Sequence, residues 1–86
     1  MYRIELSNFI SKELEKIYKV DQKLYFRFIS AIETLKLNPY KGKRLIGKFA
    51  GDYSLRVGDY RIVYTVYKDR LVVCIIDLGH RREIYR

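Results

Sequence analysis

An alternating segment in the last third of the chain constrains the fold most strongly. From Tyr53 to Tyr67, apolar residues recur at every second position on either side of a Gly58-Asp59 pair. A period of two predicts half-buried β-strands, and a Gly-Asp pair between them is typical of a tight hairpin turn. A second turn at Lys68-Asp69 leads into the apolar run Leu71–Leu78, which we predict to be a central strand covered on both faces and ended by Gly79. This segment therefore predicts a three-stranded antiparallel meander.

The first half of the chain is predicted to form a strand and a helical hairpin. Tyr2–Leu6 alternates as a short half-buried strand. Apolar residues then recur with helical spacing in two segments, one after Ser7 or Asn8 and one after Asp21, and each of these residues can cap a helix N-terminus. The second helix is predicted to stop near Asn38, because the proline that follows disfavours helical geometry in the residue before it.

Helices that precede a run of antiparallel strands predict an α+β fold. We expect an N-terminal strand, a helical hairpin and a three-stranded antiparallel meander, which give a sheet of about four strands with the helices on one face. The first strand has to pair back into the meander. Because the chain has 86 residues, we expect one domain spanning residues 1–86. Tyr40–Asp52 is expected to be an irregular loop whose glycines and lysines suit either a polyanion or solvent.

Positive charge is concentrated in the second half of the chain. Residues 1–35 hold six lysines and arginines and five acids, whereas residues 36–86 hold twelve and five, for a net charge of +8. This imbalance favours an anionic partner such as nucleic acid, although basic proteins can also simply be soluble. Arg3 and Glu5 lie where an export signal needs an apolar run, and no segment has the length of a membrane span. With a single cysteine in an apolar strand, we expect a cytoplasmic protein without a membrane partner.

Strand alternation predicts where the arginines of the meander point. Leu55 is expected to face the helices, so Arg56 and Arg61 are expected to project from the opposite, open face of the sheet. The tail that begins at His80 is expected to arrive beside them. Arginines on an open face are often only solvated, but the additional cations and Tyr85 in the tail favour a functional role.

Two motifs in this region resemble a known family. The run L-R-V-G-D-Y-R-I-V-Y at residues 55–64 and the run L-G-H-R-R-E-I-Y at residues 78–85 closely resemble the RelE-type toxins of toxin–antitoxin pairs, within the broader RelE/ParE superfamily. The resemblance implies a RelE-like fold and a ribosome-dependent endoribonuclease that cuts messenger RNA in the ribosomal A site. It further implies attack by the ribose 2′-hydroxyl on the adjacent phosphate without a metal or cofactor. The implied partners are a cognate RelB-like antitoxin, the 70S-type ribosome and messenger RNA.

The resemblance also implies roles for individual residues. Arg61 matches the phosphate-contacting arginine of the family, Arg81 its tail arginine proposed as general acid or charge stabiliser, and Tyr85 its C-terminal tyrosine proposed as general base or stacking residue. His80 is a secondary catalytic candidate, because some relatives have a histidine near this place. The best-known members have two lysines before the G-x-Y-R motif, where this chain has Arg56. Arg56, Lys48 or Lys43 are the candidates to replace that pair, and Arg56 is counted among the catalytic candidates. The candidates for contacting RNA are Lys43, Arg44, Lys48 and Arg82.

These residue types suit cleavage of a phosphodiester. In-line attack builds negative charge on the phosphorane, and guanidinium groups held near it stabilise that charge. A phenol with a pKa of about 10 is a poor base at neutral pH, but neighbouring cations would lower the pKa of Tyr85. If the phenol stays neutral, its ring can still stack on a base.

Two other functions remain open at the level of the sequence. The ParE branch of the superfamily shares the fold but inhibits DNA gyrase and lacks the nuclease residues, so a tail with both Arg81 and Tyr85 favours the nuclease. A plain basic nucleic-acid-binding module would show steep salt dependence of binding and no cleavage products.

Overall fold

The computed structural model describes residues 1–47 and 50–80, and in them two helices pack on one face of a five-stranded sheet. In chain order the elements are β1 (Arg3–Leu6), α1 (Asn8–Val20), α2 (Gln22–Thr34), β2 (Lys43–Arg44), β3 (Tyr53–Val57), β4 (Tyr60–Tyr67) and β5 (Val72–His80). The predicted α+β class is confirmed, with one short strand more than expected. Among the predicted functional residues, Lys48, Arg81, Arg82 and Tyr85 lie outside the described residues.

Both predicted helix caps are present. The Ser7 hydroxyl accepts a hydrogen bond from the Ile10 N–H at 3.1 Å, and an Asp21 carboxylate oxygen accepts one from the Leu24 N–H at 3.1 Å. Caps of this kind each stabilise a helix by about 1 kcal/mol. The second helix ends at Thr34, earlier than the predicted Asn38. Directly after the helix, the chain tightens into a turn. There the Leu35 N–H donates to the Ile32 carbonyl and the Lys36 N–H to the Glu33 carbonyl.

The strands follow the order β1-β5-β4-β3-β2 across the sheet. β3, β4 and β5 form the predicted antiparallel meander, and β1 pairs back into it as a parallel edge strand beside β5. The prediction that Tyr40–Asp52 is irregular throughout was wrong, because β2 pairs with β3. Gly42 enables this pairing: its N–H donates to the Tyr64 hydroxyl at 3.0 Å, and a Cβ atom there would lie only 2.6 Å from the Ser54 carbonyl oxygen.

The core lies between the helices and one face of the sheet. Phe28 of α2 and Ile62, Tyr64 and Ile75 of the sheet are fully buried in it. Burying a side chain of this size stabilises the fold by roughly 1.5–3 kcal/mol. The strand residues in this core are those that the alternation of side chains places on the helix side. The period of two in the sequence therefore correctly predicted which strand residues are buried.

β5 departs from its predicted form in two ways. It continues past Gly79, because Gly79 pairs with Arg61 and His80 pairs with Tyr60. A β-bulge also interrupts its pairing with β4, since the partner register skips Ile76, whose side chain is 40% exposed. The apolar run is therefore not covered on both faces along its whole length.

Neither of the two helices in the described part of the chain is long and apolar enough to cross a membrane.

Candidate functional site

Arg56 and Arg61 lie directly opposite each other on β3 and β4. Opposed residues of an antiparallel pair project from the same face, and alternation puts them on the face opposite to that of their neighbours. The neighbouring pairs are Leu55 with Ile62 and Val57 with Tyr60, and all four pack in or against the core on the helix side. The two arginines therefore project from the side of the sheet away from the helices, as predicted.

We call this surface the arginine face and define it by Lys43, Ser54, Arg56, Arg61 and Val63. Two like charges directly opposite each other on a sheet are destabilising, so the arginine pair does not stabilise the fold. An anion bound between the two guanidinium groups would relieve this repulsion and accept hydrogen bonds from both. Two guanidinium groups placed in this way can bind one anion together.

The two arginines are held differently. Arg61 is half-buried, its Nε atom is inaccessible to solvent, and its Nη1 atom donates to the Ser54 hydroxyl at 3.5 Å. Arg56 is exposed at the rim, where its Nε donates to the Gly58 carbonyl at 3.1 Å. Arg61 is thus the more buried cation of the pair, and Arg56 is the more exposed one.

The arginine face is not open along its whole extent. Ser54 is 2% exposed and Val63 is fully buried, although both point away from the helices. Longer side chains occupy the flanking register positions, with Lys43 opposite Ser54 and Asp77 opposite Val63. The prediction of an open face was therefore wrong at these two positions.

The two described cations of β2 point to different sides of the sheet. Lys43 pairs with Ser54 and so lies on the arginine face, whereas Arg44 pairs with Tyr53 and lies on the other side. Both side chains are exposed. The hydrogen bond from Gly42 to the Tyr64 hydroxyl anchors this strand and so holds Lys43 near the arginines.

Tyr64 is a positioning residue that sequence reasoning missed. Its ring is fully buried and stacks on Tyr53 with 5.6 Å between the ring centroids. Burial raises the pKa of Tyr64, and the hydrogen bond from Gly42 acts in the opposite direction but is the smaller effect. The phenol therefore stays neutral and serves as an acceptor. The alternation signal placed Tyr64 in the core but gave no sign of this long-range bond.

Asp52 is a second residue, after Tyr64, that makes hydrogen bonds which the sequence did not predict. The Thr65 hydroxyl donates to a carboxylate oxygen of Asp52 at 2.7 Å, and the Asp52 carbonyl accepts from the Leu45 N–H at 2.9 Å. These two hydrogen bonds hold the end of the loop between β2 and β3 against β4. Within residues 1–47 and 50–80, no three histidine, cysteine, aspartate or glutamate side chains are grouped as metal ligands.

His80 lies on the opposite side of the sheet from Arg61. It pairs with Tyr60, and the two rings meet edge to face with 5.5 Å between their centroids, while Tyr60 also contacts Phe28 of the core. The bulge at Ile76 causes this placement, because one extra residue moves every later side chain of β5 to the other face. The structure therefore does not bring His80 to the arginine pair.

Comparison with known sequences identifies the family. Residues 4–85 match the sequence model described as the ParE toxin of the type II toxin–antitoxin system parDE. The chain belongs to the ParE toxin family. It is thus a toxin of a type II toxin–antitoxin system, and its predicted place in the RelE/ParE superfamily is confirmed.

Two curated relatives carry RelE-type names. The chain is 40% identical over 45 residues to Toxin RelG of Mycobacterium tuberculosis, a match that spans about half the length of either protein, 52% in each case. It is 26% identical over 87 residues to Putative toxin RelE4 of Methanocaldococcus jannaschii, which covers 100% of this chain and 93% of the relative.

Solved structures share the fold of this toxin. The toxin–antitoxin complex RelBE2 of Mycobacterium tuberculosis contains a chain with a TM-score of 0.80 and 24% identity, with 93% of this chain and 98% of that chain covered. The archaeal RelE–RelB complex of Pyrococcus horikoshii gives a TM-score of 0.76 and 28% identity, with 93% and 94% covered. The isolated Escherichia coli RelE toxin gives a TM-score of 0.78 and 20% identity, with 99% and 92% covered. The predicted RelE-like fold is therefore confirmed.

Proposed function

We propose that this toxin is a ribosome-dependent endoribonuclease that cuts messenger RNA in the ribosomal A site. The observation that carries the proposal is the direct pairing of Arg56 and Arg61 on the arginine face, where two guanidinium groups share a surface patch at a cost to stability. Arginine binds phosphate oxygens through a planar fork of donors, so two such forks form a natural phosphate site.

The chemistry proposed is attack of the ribose 2′-hydroxyl on the adjacent phosphorus. The attacking oxygen forms a bond to phosphorus, the bond to the 5′-oxygen of the next nucleotide breaks, and a 2′,3′-cyclic phosphate remains. Negative charge grows on the phosphorane oxygens during this step. Arg61, held against Ser54, is the group best placed to stabilise that charge, and Arg56 adds a second guanidinium from the rim.

Proton transfer in this proposal falls to the tail. We assign Tyr85 as the general base or stacking residue and Arg81 as the general acid or charge stabiliser, on the strength of the motif alone. Cations beside a phenol favour its ionised form, so a location near Arg61 would lower the pKa of Tyr85. His80 receives no role at this phosphate, because its ring lies on the helix side of the sheet.

The partners proposed follow from the same face and from the relatives. Related toxins have been solved in complexes named for RelE with RelB and for YoeB with YefM. We propose that a cognate antitoxin likewise silences this toxin in the cytoplasm by covering the arginine face with acidic side chains. The messenger RNA on the ribosome binds that surface once the antitoxin is lost.

A second candidate function is inhibition of DNA gyrase. The description of the matched family, the ParE toxin of parDE, favours it. Under this alternative, the arginine pair would contact a protein or DNA and would not act on a ribose phosphate. The two functions differ in their products, since only the nuclease generates new RNA ends.

The test is to incubate the purified toxin with programmed ribosomes and to map new messenger RNA ends. We expect cuts inside the A-site codon with 2′,3′-cyclic phosphate ends, and slow cleavage of the same RNA without ribosomes, because the ribosome aligns the substrate. Arg3→Ala provides a matched control, since Arg3 is an exposed arginine on an edge strand and pairs with Glu5. Absence of cleavage together with gyrase-dependent DNA damage would replace the nuclease with the alternative.

A further inference from the structure

A basic groove runs from the edge of the arginine face to helix α2. It is a shallow groove that is largely open to solvent, with a volume of about 570 Å³. It is lined by Lys23, Phe26, Arg27, Ser30, Ala31, Arg56, Val57 and Gly58. The lining residues within the described part of the chain include three cations and no acid. Arg56 belongs both to this groove and to the arginine face, so the two surfaces are continuous.

Two of the three cations of the groove, Arg27 and Arg56, meet at the turn between β3 and β4. Arg56 donates to the Gly58 carbonyl at 3.1 Å, and the Arg27 guanidinium packs against the same glycine. Gly58 has a φ of +60°, and a Cβ atom there would lie 3.0 Å from an Arg27 terminal nitrogen. Glycine therefore lets the Arg27 guanidinium approach the turn at which Arg56 is bound.

Among the residues that the structure describes, no acid forms an ion pair with these cations. Within residues 1–47 and 50–80, the ion pairs shorter than 4 Å join Arg3 with Glu5, Lys16 with Glu13 and Lys36 with Glu33, so none includes a cation of the groove. Asp59 lies in the turn but does not line the groove. A groove with unneutralised cations attracts a polyanion.

Phe26 gives the groove an aromatic surface. Its side chain is 56% exposed, yet its ring is held edge to face against Tyr25 and Tyr18, with centroid distances of 5.2 and 6.3 Å. An exposed but positioned ring beside cations is the combination that binds single-stranded nucleic acid, in which the bases stack on aromatic rings and the phosphates meet the cations.

We propose that this groove holds a neighbouring nucleotide of the RNA strand whose phosphate lies on the arginine face. The inference rests on the proposed function, because the strand is the one that the nuclease would cut. The base stacks on Phe26, and the phosphate is bound by Arg27 and Lys23. Arg56 links the two phosphates and so sets the path of the strand across the edge of the sheet.

The test measures binding of the whole chain to uniformly 2′-O-methylated RNA, which lacks the attacking hydroxyl and is not cut. We compare a dinucleotide with a single strand of about six nucleotides, because only the longer strand can fill both surfaces. Phe26→Ala is expected to weaken binding of the longer strand by roughly 5- to 100-fold and to leave dinucleotide binding unchanged. Phe26→Tyr keeps an aromatic ring and should bind like the original chain.

Phe9→Ala is the matched control, because Phe9 is 58% exposed on α1 and does not line the groove. Lys23→Gln should also lower the salt dependence of binding by about one counterion, whereas Lys12→Gln on α1 should not. Equal losses for Phe26→Ala and Phe9→Ala would overturn the inference, as would absence of RNA binding by the original chain.

The outcome separates this inference from the proposed function. If Arg61→Ala abolishes ribosomal cleavage while Phe26→Ala leaves RNA affinity unchanged, the groove assignment fails and the nuclease stands. If Phe26→Ala weakens RNA binding but the original chain cuts nothing, the groove stands and the nuclease fails. If Phe26→Ala weakens only the complex with the antitoxin, the groove belongs to a protein partner and the inference is overturned.

Discussion

The two faces of the sheet are built from alternate residues of the same strands, yet the two sets of residues differ in burial and in charge. The helix side holds Phe28, Ile62 and Tyr64 without exposed surface, so its residues stabilise the fold. The arginine face places two guanidinium groups opposite each other at a cost to stability. This contrast teaches that adjacent positions along one strand can carry different side chains, with core residues on the helix side and the proposed phosphate-binding arginines on the other.

Ile62→Ala tests the helix side and should have the largest effect on stability. The side chain is fully buried, and its loss should lower the free energy of unfolding by about 2–5 kcal/mol. Urea unfolding followed by circular dichroism measures this change. Ile76→Ala is the matched control, since Ile76 is 40% exposed at the bulge and should cost far less. Equal losses at both positions would contradict the assignment of the core.

Arg61→Ala tests the adjacent residue on the other face. We expect ribosome-dependent cleavage to fall about 10²- to 10³-fold, because a preorganised donor to the transition state is lost. Thermal stability should change little, since relief of the repulsion by Arg56 offsets loss of the hydrogen bond to Ser54. Arg61→Lys should not restore cleavage, because lysine lacks the planar fork. A chain that unfolds on this change would show that Arg61 is structural.

Local patterns in the sequence predicted the parts of the site that depend on near neighbours. The Gly58-Asp59 turn fixes the register of β3 against β4, so alternation alone placed Arg56 and Arg61 together on one face. The helix caps at Ser7 and Asp21 could also be predicted from the sequence, because a capping side chain accepts a hydrogen bond from a backbone N–H only three residues away.

The features that sequence reasoning missed depend on distant contacts. β2 forms because Gly42 reaches Tyr64, which lies 22 residues along the chain, and no local pattern signals that bond. The bulge at Ile76 arises only from pairing with β4, and it moves His80 to the helix side. The tail residues Arg81 and Tyr85 lie outside the described residues, so their roles remain predictions.

Tyr64→Phe tests how the helix side supports the arginine face. Loss of the hydroxyl leaves the Gly42 N–H without its acceptor, which should cost about 1–3 kcal/mol of stability. Hydrogen exchange at the Gly42 amide should become faster as β2 loosens. Tyr67→Phe is the control, because its ring is 37% exposed. Unchanged exchange in Tyr64→Phe would show that β2 is held by its pairing with β3 alone.

The same residue makes stability depend on pH. Burial raises the pKa of Tyr64 above its ordinary 10.0, so the folded chain keeps this proton where the unfolded chain loses it. The contribution of Tyr64 is therefore complete below about pH 10 and is lost as the pH rises through the folded pKa. The difference in unfolding free energy between the original chain and Tyr64→Phe should shrink in this range. A difference that grows with pH would contradict the burial of a neutral phenol.

Substitutions around Cys74 should have the smallest effect of those predicted here. Cys74 lies on β5, towards the opposite edge of the sheet from Lys43 on β2, and the pKa of its thiol responds to the charges near it. It lies between Thr65 and Glu5 in the register. Burial raises the pKa of the Cys74 thiol, Glu5 raises it further, and Arg70 acts in the opposite direction. Since only the thiolate is alkylated, iodoacetamide at about pH 8 should react more slowly with the folded chain than with the unfolded chain.

Substitutions of Glu5 and of Arg70 should then change the alkylation rate of Cys74 in opposite directions. Glu5→Gln removes a negative charge and should speed the reaction a few-fold, whereas Arg70→Gln should slow it by a similar factor. Neither change should alter ribosomal cleavage, because the arginine pair lies between β3 and β4. Alkylation that slows in Glu5→Gln would contradict the proximity of the Glu5 carboxylate to the Cys74 thiol, and with it the parallel pairing of β1 with β5.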